Sequence, residues 1–322
     1  MGSQRYLLRK VLHALLTLLF VLFANFVLFR ILPSDPVQLL ARSQHLSAED
    51  VAEQISSLGL DKPIPEQFVV YIRQTLTGDL GVSLRSGVAV TELIGERVGP
   101  TILLVGVATI LSTLFGLWIG IRGGWRRGSA FDTSSLYSSL VLYSMPEGWL
   151  GMILLLFFAG VLGLFPAGGY SSSQTITGFA HVVDVANHMF LPCLTLTLGY
   201  IGEYAIVMRS SLIEVMNEDF VMTARAKGVR DVMVRRRHAV PNALLPTLTL
   251  VFLSFGFVLG GAIIVETVFS WPGLGQRTVT AIGQRDYPFI QGAFLLLSAS
   301  VIVFNLIADI LYGYLDPRVR ES

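Results

Sequence analysis

Charged residues are scarce in this chain, and their scarcity limits what kind of protein it can be. Only 14% of its 322 residues are charged and 53% are hydrophobic, whereas soluble domains carry about 25% charged residues. A soluble core of this length has no room for so much apolar surface, so lipid is the natural solvent. The net charge of +1 gives no imbalance that would point to nucleic acid as a partner.

Cysteine and lysine are scarcer still. The single cysteine, Cys193, lies in an apolar run and excludes an intrachain disulfide. The three lysines are Lys10, Lys62 and Lys227, and none of them follows a glycine. Because a phosphate-binding loop ends in Gly-Lys-Ser or Gly-Lys-Thr, the chain has no such loop with which to bind ATP itself.

Long apolar runs are what the sequence does contain. A membrane-crossing helix needs about 20 largely apolar residues, and six stretches qualify: 11–32, 100–121, 134–162, 188–208, 244–268 and 289–312. The first run is too long for a signal peptide and lacks a small-x-small cleavage site after it, so we interpret it as a retained helix. The third contains Pro146 and Glu147, which predicts a kink or a shorter span. The predicted fold class is all-α integral membrane with six transmembrane helices.

Basic residues cluster before the first span, between the second and third, between the fourth and fifth, and after the sixth. Loops rich in Arg and Lys stay in the cytoplasm, so both termini are predicted to be cytoplasmic. The predicted organisation is an N-terminal tail and first helix (1–32), an extracytoplasmic helical segment (33–99), a five-helix core (100–312) and a cytoplasmic tail (313–322). Within the outer segment, helices are predicted at 47–58 and 66–76.

The basic stretch between the fourth and fifth spans has the pattern of a short docking helix. Asp219 suits a helix N-terminus, Lys227 suits the last turn, and Gly228 is placed to end the helix. Phe220, Ala224 and Lys227 are predicted to share one face. A second short helix is expected at 231–240. The alternative is a solvated basic loop that only satisfies the charge rule, and the residues alone do not decide between them.

A run of residues here resembles the cytoplasmic EAA loop of binding-protein-dependent ABC importer permeases. The run is Thr223-Ala224-Arg225-Ala226-Lys227-Gly228, followed by His238, Asn242-Ala243 and Pro246. More narrowly, the chain is similar to the first permease subunit of dipeptide and oligopeptide importers, through blocks at 58–63, 78–83, 164–170, 266–275, 285–292 and 305–318. Pro241 departs from the family pattern, which more often has Arg there, and this leaves the angle of the second helix open. Thr223 replaces the Glu of the broader superfamily.

This resemblance implies that the short helix docks into a cleft on a separate ATP-binding subunit. The implied coupling residues are Asp219, Phe220, Thr223, Ala224, Arg225, Ala226, Lys227 and Gly228. The implied partners are a second homologous permease, two ATPase subunits that carry ATP and Mg, and an extracytoplasmic substrate-binding protein that meets 33–99. The chain itself is expected to bind no cofactor or metal, to be non-catalytic, and to lie in a bacterial inner membrane.

Charged residues within spans are functional candidates by default. Gating or structural roles are predicted for Glu203, Glu266, Asp309 and Arg209. Glu147 is a further candidate if the third span covers 134–162. Because Asp309 and Arg209 should both lie near the cytoplasmic face, we expect them to form an ion pair.

Three alternatives stay open from the sequence. A secondary transporter would show inverted repeats and broken helices with charges at mid-depth, and those signs are weak. An intramembrane enzyme would show a motif such as H-E-x-x-H or G-x-S-x-G, and neither is present. The same importer machinery could carry haem, nickel or another small solute in place of peptides.

Overall fold

The computed structural model describes residues 2–31, 62–173 and 175–315, and within these residues the chain is almost entirely helical. The helices are α1 (Gly2–Phe26), α2 (Ile64–Leu76), α3 (Val90–Trp125), α4 (Ala130–Ser144), α5 (Glu147–Leu154), α6 (Gly178–Val215), α7 (Asp219–Ala226), α8 (Asp231–Met233), α9 (Val240–Val268), α10 (Leu274–Gln284) and α11 (Tyr287–Leu315). Three π-helical segments, Val27–Ile31, Leu155–Val161 and Val234–Ala239, extend α1 and α5 and join α8 to α9.

Membrane-length helices form the main body of the described structure. Four segments are long and apolar enough to cross a membrane alone: Tyr6–Phe29, Val90–Trp125, Gly178–Val215 and Tyr287–Ile310. The pair Ala130–Ser144 and Glu147–Val161 passes the same test when taken together. The fifth predicted span falls on α9, which has 29 residues. Side chains in the middle of α9 lie outside the description, so the total of six stays a prediction.

The third predicted span is broken at Pro146. The axes of α4 and the following helix differ by 102°. Proline has no N–H to donate and disfavours helical geometry in the residue before it. Accordingly Met145 is extended, with φ −81° and ψ 129°, and Pro146 precedes the first residue of the next helix. The sequence predicted a kink or a shortened span, and the structure has a sharp break.

Helices α3 and α6 form the most extensive helix pair in the described part of the chain. Their contact runs along a ridge of glycines one turn apart in α3: Gly116, Gly120 and Gly124. A Cβ placed on Gly116 would lie 2.7 Å from the Cβ of Tyr204, and one on Gly120 would lie 2.6 Å from the Cβ of Met208. Small residues at this spacing let helix backbones approach closely within a membrane, so this ridge sets the distance between α3 and α6.

The segment between α1 and α3 joins the bundle through α2 and a turn before α3. In α2, Tyr71 packs against Phe26 of α1, with ring centroids 5.7 Å apart. In the turn, the hydroxyl of Ser83 donates a 2.5 Å hydrogen bond to the buried carboxylate of Asp286, just before α11. The predicted helix at 66–76 is therefore present as Ile64–Leu76. The predicted helix at 47–58 lies outside the described residues.

Candidate functional site

Helix α7 lies where the sequence pattern predicts a short helix between α6 and α9. It begins at Asp219, whose carboxylate is in the first turn, where negative charge is favoured. It ends because Gly228 adopts φ +75°, a left-handed conformation that glycine enters at little cost. The N–H of Gly228 donates to the carbonyl of Arg225 at 2.9 Å, and the N–H of Val229 donates to that of Ala224 at 3.2 Å, as in helix ends closed by glycine.

One face of α7 is turned into the chain itself. Val221 is fully buried and Ala224 is 6% exposed, and both belong to an apolar cluster with Val234. Ala224 is therefore buried within the chain, whereas Phe220 and Lys227, which were predicted to share a helical face with it, are exposed. Ala224 packs inward together with Val221, since Val234 provides an apolar partner.

The remaining predicted coupling residues are exposed. They are Asp219, Phe220, Thr223, Arg225, Ala226, Lys227 and Gly228. The exposed residues of α7 and α8 include large apolar side chains, namely Phe220 at 42%, Met222 at 53%, Val232 at 59% and Met233 at 39% exposure. We call these four residues the docking surface. Exposed apolar side chains rimmed by charge are typical of a site that binds another protein.

An ion pair joins the two short helices that carry the docking surface. Arg225 of α7 lies 3.7 Å from the carboxylate of Asp231, the first residue of α8. Beyond α8 the helical run continues without a break through the π-helical segment into α9. Pro241 falls in the first turn of α9, directly after the π-helical segment. The second short helix, whose angle Pro241 left open in the sequence, is therefore continuous with α9.

The predicted ion pair between Asp309 and Arg209 is wrong, because each residue has another partner. Arg209 binds Asp132 of α4 through two hydrogen bonds, of 2.5 and 2.9 Å. Asp309 accepts a 2.9 Å bond from Lys10 of α1. The packing of the helices explains these partners, because α4 packs on α6 beside Arg209 and α1 packs on α11 beside Asp309. Both pairs hold helices together.

Glu266 lies in a hydrogen-bonded network at the opposite end of the bundle. It is fully buried and accepts a 2.6 Å hydrogen bond from the hydroxyl of Thr101 and a 3.0 Å bond from the N–H of Gln276. Gln276 lies in the first turn of α10, where N–H groups lack intrahelical acceptors. Thr101 in turn accepts the N–H of Leu274 at 2.8 Å. Glu266 thereby joins α3, α9 and α10.

Glu147 and Glu203 lie at neighbouring parts of the structure around α6. Glu147 begins α5 directly after the break and lies against α6, where a Cβ placed on Gly199 would be 3.5 Å from its Cγ. Glu203 follows Tyr200 by about one turn and is half-buried. Tyr200 stacks on Tyr204, with ring centroids 6.3 Å apart. The sequence identified the two carboxylates as candidates. It did not distinguish Tyr200 and Tyr204 from aromatic residues at a membrane interface.

No metal centre is formed by the part of the chain that the structure describes. Within those residues, no three His, Cys, Asp or Glu side chains lie close enough together to hold an ion. A bundle of membrane-length helices, with a short exposed helix between two of them, defines a multi-spanning membrane protein.

Comparison with known proteins identifies the family. Residues 112–321 match the model of the binding-protein-dependent transport system inner membrane component, and residues 3–105 match that of the N-terminal part of the same transport system membrane component. The chain belongs to this family of ABC transporter permeases.

Curated relatives match along the whole chain. The dipeptide transport system permease DppB of Escherichia coli (strain K12) is 36% identical, with 99% of both chains covered. The glutathione transport system permease GsiC of Salmonella choleraesuis is 38% identical, with 98% of both covered. Among solved structures, an inward-facing MetNI methionine ABC transporter matches 70% of this chain and 96% of its own, with a TM-score of 0.55 and 18% identity. That likeness shows the fold.

Proposed function

We propose that this chain is a transmembrane subunit of an ATP-driven importer that moves di- and oligopeptides across the bacterial cytoplasmic membrane. The relatives with full-length matches are named as dipeptide, peptide or glutathione permeases, and their common cargo is a short peptide. Haem, nickel and other small solutes, left open by the sequence, have no support among these names. Family membership likewise favours an ATP-driven importer over a secondary transporter.

The observation that carries the proposal is the exposed helix α7. A permease without a nucleotide-binding loop has to receive the free energy of ATP hydrolysis through contact with another chain. The docking surface supplies apolar anchors in Phe220 and Met222, with Asp219, Arg225 and Lys227 at its rim. Buried aromatic anchors inside a charged rim carry most of the binding energy in protein interfaces. ATP-dependent closure of two such partners would displace α7 and switch the bundle between inward-facing and outward-facing states.

The proposed assembly has this chain beside a second, homologous permease, with two ATPase subunits at the face that carries α7. ATP and Mg would bind on those subunits, and both termini of this chain would lie in the cytoplasm. A substrate-binding protein would dock at the opposite face, on the outer segment 33–99 and the adjoining α10. There Glu266 and Asp286 hold α3, α9, α10 and the start of α11 in fixed positions, which suits a surface that receives a partner.

Phe220→Glu tests the ATPase contact. Affinity-tagged permease complex would be purified from cells that express all subunits, and the ATPase chains that accompany it would be quantified. The substitution places a charge where an apolar anchor is buried in the partner, so we expect about a tenfold or greater loss of co-purified ATPase, since such anchors contribute about 2 kcal/mol or more.

Phe179→Glu is the matched control, because Phe179 is an exposed phenylalanine at the other end of α6. It should leave the amount of ATPase unchanged. If Phe220→Glu also leaves it unchanged, or if the purified permeases move peptide without any ATPase chain, the proposed function is wrong.

A further inference from the structure

Trp125, the last residue of α3, lies between the membrane bundle and the docking surface. Its ring is half-buried, and two guanidinium groups lie over it, those of Arg225 and Arg235, each 5.8 Å from the ring centroid. Arg225 comes from α7 and Arg235 from the π-helical segment that leads into α9. An arginine at this distance from an indole ring is attracted to the face of the ring. Trp125 therefore contacts both α7 and the helical run that begins with α8.

The same ring belongs to two apolar clusters. One cluster has Val221, Ala224 and Val234 at its centre and lies under α7. The other has Met208, Leu212, Ala239 and Ala243 at its centre and lies between the ends of α3, α6 and α9. Among the residues that the structure describes, only Trp125 and Val215 pack against both clusters, and each is the last residue of its helix, α3 or α6. These two side chains are thus the apolar contacts shared by the short helices and the spans.

Of Trp125 and Val215, Trp125 matters more for the contact between α7 and α3, because of how α7 is connected along the chain. Helix α7 is joined to α6 by the turn after Val215, and to α9 by the helical run that starts at Asp231. It has no direct chain connection to α3. A displacement of α7 therefore reaches α6 and α9 through the backbone, whereas its direct route to the end of α3 is through the contacts of Trp125.

Resting on the proposed function, we propose that Trp125 is a positioning residue for energy coupling. Its ring, held between Arg225 and Arg235, transmits displacement of α7 directly to the end of α3, in addition to the indirect route through α6 and the glycine ridge. This contact lets α3, α6 and α9 respond to the ATPase as one unit. Without this contact, α7 would shift relative to the end of α3, and less of each α7 displacement would reach the membrane bundle.

The test is the ratio of peptide taken up to ATP hydrolysed, measured on the complete complex reconstituted in liposomes with its binding protein. Trp125→Ala should lower this ratio by about tenfold, within the range of couplings between protein sites. Trp125→Phe, which keeps an aromatic face, should restore most of it. Arg235→Gln removes one of the cation–ring contacts and should lower the ratio in the wild-type background but add little to Trp125→Ala, since coupled residues are not additive.

Trp118→Ala is the matched control. Trp118 is in the same helix and has an arginine, Arg122, 5.8 Å from its ring, but it is 55% exposed and belongs to neither cluster. Its replacement should leave the ratio unchanged. A purely structural role for Trp125 would reduce the yield of complex, with uptake and hydrolysis falling in parallel. An unchanged ratio in Trp125→Ala overturns the inference, while loss of ATPase binding in Phe220→Glu would still support the proposed function.

Discussion

At the scale of single residues, the buried carboxylate of Glu266 holds three helices together without any positive partner in the described structure. Its two oxygens accept bonds from Thr101 of α3 and from a backbone N–H in the first turn of α10. A carboxylate at a helix N-terminus satisfies donors that have no acceptor in the helix and is stabilised by the helix dipole. The sequence suggested a structural or gating role because Glu266 lies near the end of a span, and the geometry supports the structural one.

Glu266→Ala should therefore destabilise the opposite face of the bundle. It removes the acceptor of the buried Thr101 hydroxyl and of the partly buried Gln276 N–H, and each such loss costs about 1–3 kcal/mol. We expect a lower melting temperature for the purified complex and faster tryptic cleavage at Arg277 in α10. Glu96→Ala is the control, because Glu96 is exposed. Equal melting temperatures for the two variants would show that Glu266 does not stabilise this face.

At the scale of helices, the glycine ridge of α3 is the main feature that sequence reasoning missed. Gly116, Gly120 and Gly124 recur every fourth residue in an apolar run, so the signal was present. The partner helix was not available from the sequence, because it depends on how α3 is rotated in the bundle. The same limit explains the wrong pairing of Asp309 with Arg209. Conversely, α7 was predictable because its ends are set locally, by Asp219 and Gly228.

Two glycine-to-alanine substitutions in α3, one inside the ridge and one outside it, distinguish the effect of helix packing on stability from that of helix propensity. Gly120→Ala puts a methyl group 2.6 Å from the Cβ of Met208 and 2.7 Å from the carbonyl oxygen of Ala205, so α3 and α6 have to move apart at a cost of about 1–3 kcal/mol. Gly106→Ala in the same helix meets nothing within 4 Å and should be neutral or stabilising. Thermal unfolding of the purified complex measures both. If both variants lowered the melting temperature equally, the glycine ridge would not set the distance between α3 and α6.

At the scale of the whole molecule, the proposed orientation places α7 inside the cell and the loop before α6 outside. Cys193 is the only cysteine and is buried, so single cysteines can be introduced without removing it. In intact cells, a membrane-impermeant maleimide should label Thr175→Cys, in the exposed loop, but not Lys227→Cys. After permeabilisation of cells that express this chain without the ATPase subunits, so that α7 is uncovered, it should label both. Labelling of Lys227→Cys in intact cells would reverse the orientation and exclude contact between α7 and a cytoplasmic ATPase.

The break at Pro146 has a consequence for which side of the molecule can touch lipid. Helix α4 has 15 residues and therefore ends about 22 Å from its first residue, short of the roughly 30 Å of hydrocarbon in a bilayer. The carbonyl of Pro146 accepts the N–H groups of Trp149 and Leu150, whereas the N–H groups of Glu147 and Gly148 come before any acceptor in their own helix, and acyl chains offer none. We therefore expect the break itself to be bordered by polypeptide or by solvent and not by acyl chains.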